Sequence, residues 1–188
     1  RTTYRRDKIC KQLREKSMYY KTKYGKSYDA KLYKCILKWG ELTKGNTISI
    51  SDCKDVFDYL STNFPESKFK NKLQVNMEDI GYSKKDVWYQ VFVNADQEEC
   101  FYVRTMLGNK EKLSEKPRIE MSTIHGAKGG EAANVILVLD NTKRIRDSVE
   151  LNQDKEDEEH RVWYVGATRS KHNLYILKPA KERYGYQL

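Results

Sequence analysis

Thr123 to Glu131 reads T-I-H-G-A-K-G-G-E, and this short segment constrains the fold of the chain more than any other. An extended run, Arg118 to Thr123, leads into it, and an apolar run, Asn134 to Asp140, follows it. Glycines between two strands are typical of a tight turn in an α/β domain, where backbone N–H groups at a sheet edge hold anions. A plain β-turn joining two strands would carry the same glycines, so the segment alone leaves both interpretations open.

A second segment, Glu158 to Leu177, reads E-E-H-R-V-W-Y-V-G-A-T-R-S-K-H-N-L-Y-I-L. Together the two segments resemble motifs V and VI of the UvrD/Rep/PcrA family of superfamily 1 DNA helicases. The first matches the family pattern T-x-H-x-A-K-G-L-E except at Gly130, where the family has leucine. The second matches E-E-R-R-L-x-Y-V-A/G-x-T-R-A, with His160 in place of the first arginine and Val162 and Ser170 as further replacements. The resemblance is firm for the carboxyl-terminal part of the chain.

The resemblance implies an α/β fold: a RecA-like, P-loop-type domain with a parallel sheet, the second helicase domain, carrying a mainly helical inserted subdomain. Residues 1–24 would begin the RecA-like domain in the motif IV region, residues 25–116 would form the helical insertion, and residues 117–188 would complete the RecA-like domain. The hydropathy pattern shifts accordingly from helical spacing to strand–helix–strand across the charged linker between Gly108 and Pro117.

The spacing of apolar residues predicts several helices before that linker. They are expected at Arg5 to Lys16, Tyr28 to Leu42 capped by Ser27, Asp52 to Ser61, Lys84 to Val93 and Gln97 to Leu107. Aromatic residues recur at helical spacing in the last two, which favours core packing over a base-stacking platform. These aromatic residues are Trp88, Tyr89, Phe92, Phe101 and Tyr102.

Beyond the linker, Val135 to Leu139 is an unbroken apolar run, which predicts a buried parallel strand. A polar connection is expected at Asn141 to Gln153, a helix at Glu156 to Arg169 and a final strand at Leu174 to Leu177. The acidic run Asp154 to Glu159 favours the positive end of a helix dipole over a metal site.

The net charge and the cysteine content indicate which kind of partner and which cellular compartment to expect. The 188-residue chain has a net charge of +9, which favours a polyanionic partner such as nucleic acid, although a basic surface without a partner is the alternative. Four widely spaced cysteines form no C-x-x-C pair, which argues against a zinc site or a disulfide framework and fits a reducing cytosol. No apolar run is long enough to span a bilayer, so no membrane partner is expected. The chain begins with Arg1 rather than Met, which suggests a piece of a longer polypeptide.

The resemblance implies a nucleotide contact for five residues. Arg169, in T-R-S, would be the arginine finger, because a guanidinium stabilises the charge that spreads over the γ-phosphate oxygens in phosphoryl transfer. Glu131 would bind the nucleotide ribose and Gly129 would allow the tight turn beside it. Arg161 would orient Glu158 or contact nucleotide. Arg1 would be a second γ-phosphate contact through a weak match to motif IV. A surface salt bridge is the alternative for Arg169, and a loop cap for Glu131.

Three residues of the first segment match positions near single-stranded DNA in the family. Thr123 could donate a hydrogen bond to a phosphate, and His125 and Lys128 project from the glycine turn. Lys128 could instead meet a nucleotide phosphate or a carboxylate of the other domain, and a structural role is open for all three.

Gly25-Lys26-Ser27 mimics the end of a Walker A loop, but the first glycine of that motif would fall on Tyr20. The residues between, Lys21 to Tyr24, are bulky and basic, and no Walker B acidic pair follows a buried strand. The chain is therefore expected to use ATP whose Mg²⁺ is bound mainly by a separate amino-terminal RecA-like domain, and to be inactive alone.

The sequence thus predicts the carboxyl-terminal part of a cytoplasmic, ATP-dependent DNA helicase. It would supply the arginine finger and part of the single-stranded DNA track, with the amino-terminal RecA-like domain as its partner. Two alternatives stay open: a non-catalytic nucleic-acid- or partner-binding module derived from a helicase, and a helicase-like domain within a helicase–nuclease complex.

Overall fold

The computed structural model describes residues 3–179 and 185–186, and these residues form a mixed α/β fold. The chain splits into two compact units. The motif unit comprises Arg1–Leu13, Lys21–Gly25 and Ile119–Leu188, and the helical unit comprises Arg14–Tyr20 and Lys26–Arg118. The division of the chain into a RecA-like domain and an inserted helical subdomain stays a prediction.

The helices and strands follow one another in chain order. They are α1 (Thr3–Glu15), β1 (Tyr20–Thr22), β2 (Gly25–Lys26), α2 (Ala30–Thr43), β3 (Ile48–Ser49), α3 (Ile50–Phe57), α4 (Glu66–Phe69), β4 (Gln74–Val75), α5 (Trp88–Val91), α6 (Gln97–Gly108), β5 (Ile119–Glu120), a short 3-10 helix (His125–Ala127), β6 (Ala132–Val138), α7 (Lys143–Glu150), α8 (Gln153–Ala167) and β7 (Ser170–Leu177). The strands form one sheet in the order β2-β1-β5 and two pairs, β3-β4 and β6-β7.

The core of the helical unit is rich in aromatic residues. Trp39 of α2 is 1% exposed and packs edge-on against Tyr82 and Phe92, with ring centroids 5.3 and 5.5 Å apart. Its indole N–H donates to the Asp86 carbonyl at 2.8 Å, which satisfies the one polar group that this large side chain buries. The predicted core role is confirmed for Phe92 and Tyr102, which are buried, and wrong for Phe101, which is 66% exposed.

Charged side chains join α2 to α3 on the surface of the same unit. Lys34 Nζ lies 2.9 Å from Asp52 and 3.0 Å from Asp55, and Lys38 Nζ lies 2.9 Å from Asp52. These hydrogen-bonded ammonium groups, Lys38 first, lower the pKa of Asp52 to about 2. The two helices are therefore linked by ionic contacts as well as by apolar packing.

The sequence predicts which segments are helical more accurately than it predicts where each helix begins and ends. The helices predicted from Arg5 and from Gln97 are confirmed as α1 and α6. Asp29, not Ser27, caps α2, because its carboxylate accepts from the backbone N–H groups of the first turn. The helix expected over Asp52 to Ser61 begins at Ile50 behind a Ser49 cap and ends at Phe57. The helix expected from Lys84 is only α5, four residues long.

In the motif unit, β6 and β7 pair in parallel, with Val135 opposite Leu174 and Leu137 opposite Ile176. α8 covers this pair through a small buried cluster of Ile124, Leu137, Leu139 and Trp163. A parallel pair with a helical connection is the elementary α/β unit. The predicted helix and both predicted strands of this unit therefore exist.

Three details of the motif unit differ from the prediction. β6 was expected to be buried, yet Ile136 is 65% exposed and only Leu137 within the strand is buried. The segment expected to be a polar connection holds α7, capped by Thr142, because charged residues alone do not exclude a surface helix. The helix expected to continue through Arg169 ends at Ala167.

Candidate functional site

The glycine segment between β5 and β6 folds as a turn held by its own backbone. Thr123 Oγ1 accepts from the N–H of Gly126 at 3.1 Å, and the Thr123 carbonyl accepts from the N–H of Ala127 at 3.0 Å. The Gly130 N–H then donates to the Ala127 carbonyl at 3.0 Å. These bonds give the turn a fixed shape, and Thr123, predicted to meet DNA, has its side-chain oxygen engaged as an acceptor inside it.

The geometry of the turn favours glycine at two positions. A Cβ on Gly126 would lie 2.7 Å from Ser122 Oγ, closer than real side chains come, and 3.2 Å from Thr123 Oγ1, which is a tight contact. Gly129 has φ +81°, in the left-handed region that favours glycine. Gly129, predicted to allow the tight turn, therefore does so by its backbone conformation.

The side chains of the turn divide between solvent and core. His125 and Lys128 are exposed, as is Gly129 between Lys128 and the strand that follows. Ile124 is 8% exposed and belongs to the buried cluster beneath the turn. The turn thus presents an imidazole and an ammonium group to solvent from an anchored backbone.

Gly166 of α8 lets this anchored turn lie close to the helix. A Cβ at Gly166 would lie 3.0 Å from Leu137 Cδ1 and 3.3 Å from Ile124 Cδ1. The absence of a side chain therefore sets the spacing between α8, β6 and the turn. Sequence reasoning gave Gly166 no role, although the alternation of alanine and glycine at this position of the family pattern was the available signal.

Arg169 lies just beyond the end of α8, at the start of the turn into β7. Its Nε donates to the Val165 carbonyl at 3.0 Å, its Nη1 to the Gly130 carbonyl at 3.4 Å and its Nη2 to Thr168 Oγ1 at 3.2 Å. The Arg169 carbonyl accepts from the N–H of Ala132 at 3.0 Å. Backbone and side chain of Arg169 thus tie the end of α8 to the glycine turn.

Glu131 lies beside this arginine at the surface. Its carboxylate is 2.8 Å from the Lys171 ammonium, which is the first cause of a pKa below the ordinary value for glutamate. The positive charge of Arg169 acts in the same direction, and the pKa of Lys171 is raised in return. Glu131 is therefore an ionised, solvent-facing acceptor in a cationic setting.

The remaining predicted site residues are less closely joined. Arg161 is exposed on α8, and within residues 3–179 and 185–186 no hydrogen bond or ion pair links it to Glu131 or Arg169. Arg1, predicted to meet the γ-phosphate, lies outside the described residues. The structure thus brings Arg169, Glu131 and the glycine turn together, and within the described residues no bond joins Arg161 to them.

Two further kinds of feature are absent from the part of the chain that the structure describes. There, no group of three or more His, Cys, Asp and Glu side chains is arranged to hold a metal ion. Within the same residues, no helix combines the length and the hydropathy needed to cross a membrane.

The sequence model of the family described as "UvrD-like helicase C-terminal domain" matches residues 3–181, nearly the whole chain. The chain belongs to the UvrD-like helicase C-terminal domain family. The resemblance based on motifs V and VI is confirmed by this match, and the match also takes in the helical unit.

One relative of this UvrD-like domain is the ATP-dependent DNA helicase Rep of Buchnera aphidicola subsp. Schizaphis graminum (strain Sg). The two are 30% identical over 89 residues, which are 46% of this chain and 14% of that helicase. The chain therefore spans a small fraction of the length of the curated relative that it matches. No solved structure matches the chain.

Proposed function

We propose that this UvrD-like domain is the part of an ATP-dependent DNA helicase that supplies the arginine finger and a portion of the single-stranded DNA track. The observation that carries the proposal is the meeting of Arg169, Glu131 and the glycine turn at one surface of the motif unit. A guanidinium, a carboxylate and exposed backbone suit γ-phosphate, ribose and phosphate oxygens respectively.

The motif unit would belong to a RecA-like domain made of residues 1–24 and 117–188, with residues 25–116 as its helical insertion. The parallel pairing of β6 and β7 supports this assignment. So does the exposure of Ile136 at 65% and Tyr175 at 54%, because parallel sheets in α/β domains are covered on both faces. Further strands and helices of the longer protein would complete the sheet.

In the full-length enzyme, ATP would bind between two RecA-like domains, and Arg169 would reach its γ-phosphate across the cleft. Glu131 would accept from the ribose, and Mg²⁺ would be held mainly by the amino-terminal domain, as the resemblance to the helicase family implies. Arg161 and Arg1 are further proposed nucleotide contacts, and Gly129 would bring backbone close to the nucleotide. ATP supplies the phosphoryl group, and this chain supplies positive charge where negative charge develops.

The DNA track would begin at the glycine turn. His125 and Lys128 point to solvent from a backbone that Ile124 anchors, so an ammonium or imidazole there meets a phosphate with little reorganisation. Thr123 would add a contact through its hydroxyl hydrogen, since its oxygen already accepts from Gly126. Because the turn bonds to Arg169 at Gly130, a change at the nucleotide would reach the DNA contacts directly.

The test of the finger is Arg169→Ala in the full-length protein. Turnover is expected to fall about 10³- to 10⁵-fold while ATP still binds, because the guanidinium acts mainly on the transition state. Arg169→Lys is expected not to restore turnover, since a single ammonium cannot reproduce the planar fork. Arg144→Ala, which removes an exposed arginine of α7, serves as the control and should leave turnover unchanged. Unchanged turnover in Arg169→Ala contradicts the finger.

A second candidate is a non-catalytic binding module derived from a helicase. The observation that favours it is the engagement of all three donor nitrogens of Arg169 with its own chain. In that case Arg169→Ala loosens the glycine turn and lowers the melting temperature, and the full-length protein has no DNA-stimulated ATPase to lose.

A further inference from the structure

The tip of the β1–β2 hairpin carries an aromatic ring that the proposed site does not use. Tyr24 is 76% exposed, the most solvent-accessible tyrosine among the exposed large apolar side chains of the described residues. Its N–H donates to Thr22 Oγ1 at 3.1 Å, and Gly25 follows with φ +120°, so the backbone of the tip is shaped to project the ring. The sequence KYGKS, which fails as a phosphate loop, therefore forms a presented tyrosine.

Two cations of the motif unit lie over this ring. Lys23 Nζ is 4.8 Å and Arg6 Cζ is 5.5 Å from the ring centroid. Arg6 is held by Asp7, with Nε at 3.0 Å and Nη2 at 2.7 Å from one carboxylate oxygen, whereas Lys23 is exposed. Arg6 is therefore already paired with a carboxylate, whereas the exposed Lys23 can meet a phosphate beside the ring.

The hairpin is connected to the strand that leads into the glycine turn. The N–H of Met121 donates to the Lys21 carbonyl at 2.8 Å, and the Lys21 ammonium lies 2.9 Å from the Glu120 carboxylate. Met121 is two residues before Thr123 in the sequence. A ligand that follows the proposed DNA contacts would thus find Tyr24 on an element bonded to the same segment.

We infer that Tyr24 is a stacking platform for an unpaired base of single-stranded DNA, with Lys23 at the adjoining phosphate. An exposed aromatic ring beside mobile positive charge is the arrangement by which proteins hold single strands without reading their sequence. The hydrogen bond and the charge of the Lys23 ammonium also lower the pKa of the Tyr24 hydroxyl. A duplex hides the faces of its bases, so the platform selects single strands. This inference rests on the proposed nucleic-acid role.

The experiment measures binding of fluorescein-labelled oligothymidylate to the 188-residue chain by anisotropy at low salt. Tyr24→Ala is expected to weaken binding about 5- to 150-fold, the range for one stacked base, whereas Tyr24→Phe keeps the ring and the affinity. Tyr4→Ala is the matched control, because Tyr4 is a tyrosine of the same unit that is 72% exposed. A duplex of equal length should bind all variants alike. Oligonucleotide carrying 5-iodouracil should crosslink on irradiation to the peptide that contains Tyr24.

The outcomes separate this inference from the proposed function. Equal binding by Tyr24→Ala and wild type, together with loss of binding in Lys128→Ala, removes the stacking platform and leaves the DNA track intact. An equal loss of duplex and single-strand affinity in Tyr24→Ala also overturns stacking, because the ring would then act on something other than a base face. No binding by the wild-type chain overturns both the platform and the DNA track.

Discussion

The helical unit and the motif unit differ in how much of their apolar surface they bury. The helical unit surrounds Trp39 with aromatic rings and pairs its indole N–H. The motif unit has a buried cluster of four residues, and leaves Ile136 and Tyr175 more than half exposed. Its buried Trp163 stacks on Tyr186 at 5.2 Å, and no described residue accepts from Trp163 Nε1. The helical unit therefore buries its largest aromatic side chains, whereas the motif unit leaves apolar surface exposed on its parallel strand pair.

The largest expected effect is the loss of Trp39. Trp39→Ala should lower the free energy of unfolding by about 3–5 kcal/mol, because it removes a large ring from a close-packed core. Trp39→Phe should cost less than alanine, although it leaves the Asp86 carbonyl without its donor. Urea titration followed by far-ultraviolet circular dichroism measures both.

Trp163→Phe provides the matching substitution in the core of the motif unit. Because the Trp163 N–H has no acceptor among residues 3–179 and 185–186, its loss leaves no group unpaired there. The penalty of Trp39→Phe should therefore exceed that of Trp163→Phe by about 1–3 kcal/mol. Equal penalties would mean that hydrogen bonding does not distinguish the two cores.

The next largest change in stability is expected from two glycine-to-alanine substitutions, one in each unit. Gly166→Ala should destabilise the motif unit by about 1–3 kcal/mol, because the new methyl group meets Leu137 at 3.0 Å. Gly40→Ala in α2 meets nothing within 4 Å and should stabilise the helical unit by about 0.5–1 kcal/mol through helix propensity. Thermal melts of the two variants give the signs directly, and a stable Gly166→Ala would show that α8 can move away from the turn.

A smaller effect is expected from Asp52 in acid. Its folded pKa of about 2 lies below the value near 3.9 of an unfolded aspartate, so the stability it adds is complete above about pH 4 and is lost as the pH falls toward 2. Asp52→Asn should remove that part of the acid sensitivity. Urea midpoints at neutral and acid pH are compared with those of Asp157→Asn, an exposed carboxylate of α8. An unaltered acid profile in Asp52→Asn contradicts the ionic link between α2 and α3.

The smallest structural effect should come from Glu131, whose ion pair with Lys171 is exposed. Glu131→Ala breaks an exposed ion pair and should leave the melting temperature unchanged. In the full-length protein it should weaken nucleotide binding about tenfold, the worth of a hydrogen bond to ribose. Lys171→Ala breaks the same pair and keeps the carboxylate, so an equal loss in both variants would assign the effect to the pair.

The sequence predicted those features that depend on short-range pattern. α1, α6, α8 and the parallel strands β6 and β7 follow from apolar spacing, and the family from two motifs. The start of α2 was placed wrongly because Ser27 and Asp29 are both good caps, and only the fold shows which side chain reaches the first turn. The exposure of β6 was missed because an apolar run says that a strand will be covered, but not which part of the protein covers it.

The candidate site was predictable as a set of residues but not as an arrangement. The motifs pointed to Arg169, Glu131 and Gly129, yet not to the bonds from Arg169 to Val165 and Gly130. Gly166 was missed because its role is an absent side chain that matters only against Leu137 and Ile124. Tyr24 was set aside together with the segment that only mimics a phosphate-binding loop. The sequence alone does not show which aromatic side chain is exposed at the tip of a hairpin.

The hydrogen bonds of Arg169 would have to be partly broken before it could act as the proposed finger. A guanidinium that donates to Val165, Gly130 and Thr168 must give up at least part of that set to reach a triphosphate. If Arg169 is the proposed finger, nucleotide would compete with the carbonyl groups of Val165 and Gly130 for its guanidinium. Basal turnover would then stay low until another event shifted the turn at Gly130, and DNA bound at the proposed track would be positioned to cause that shift.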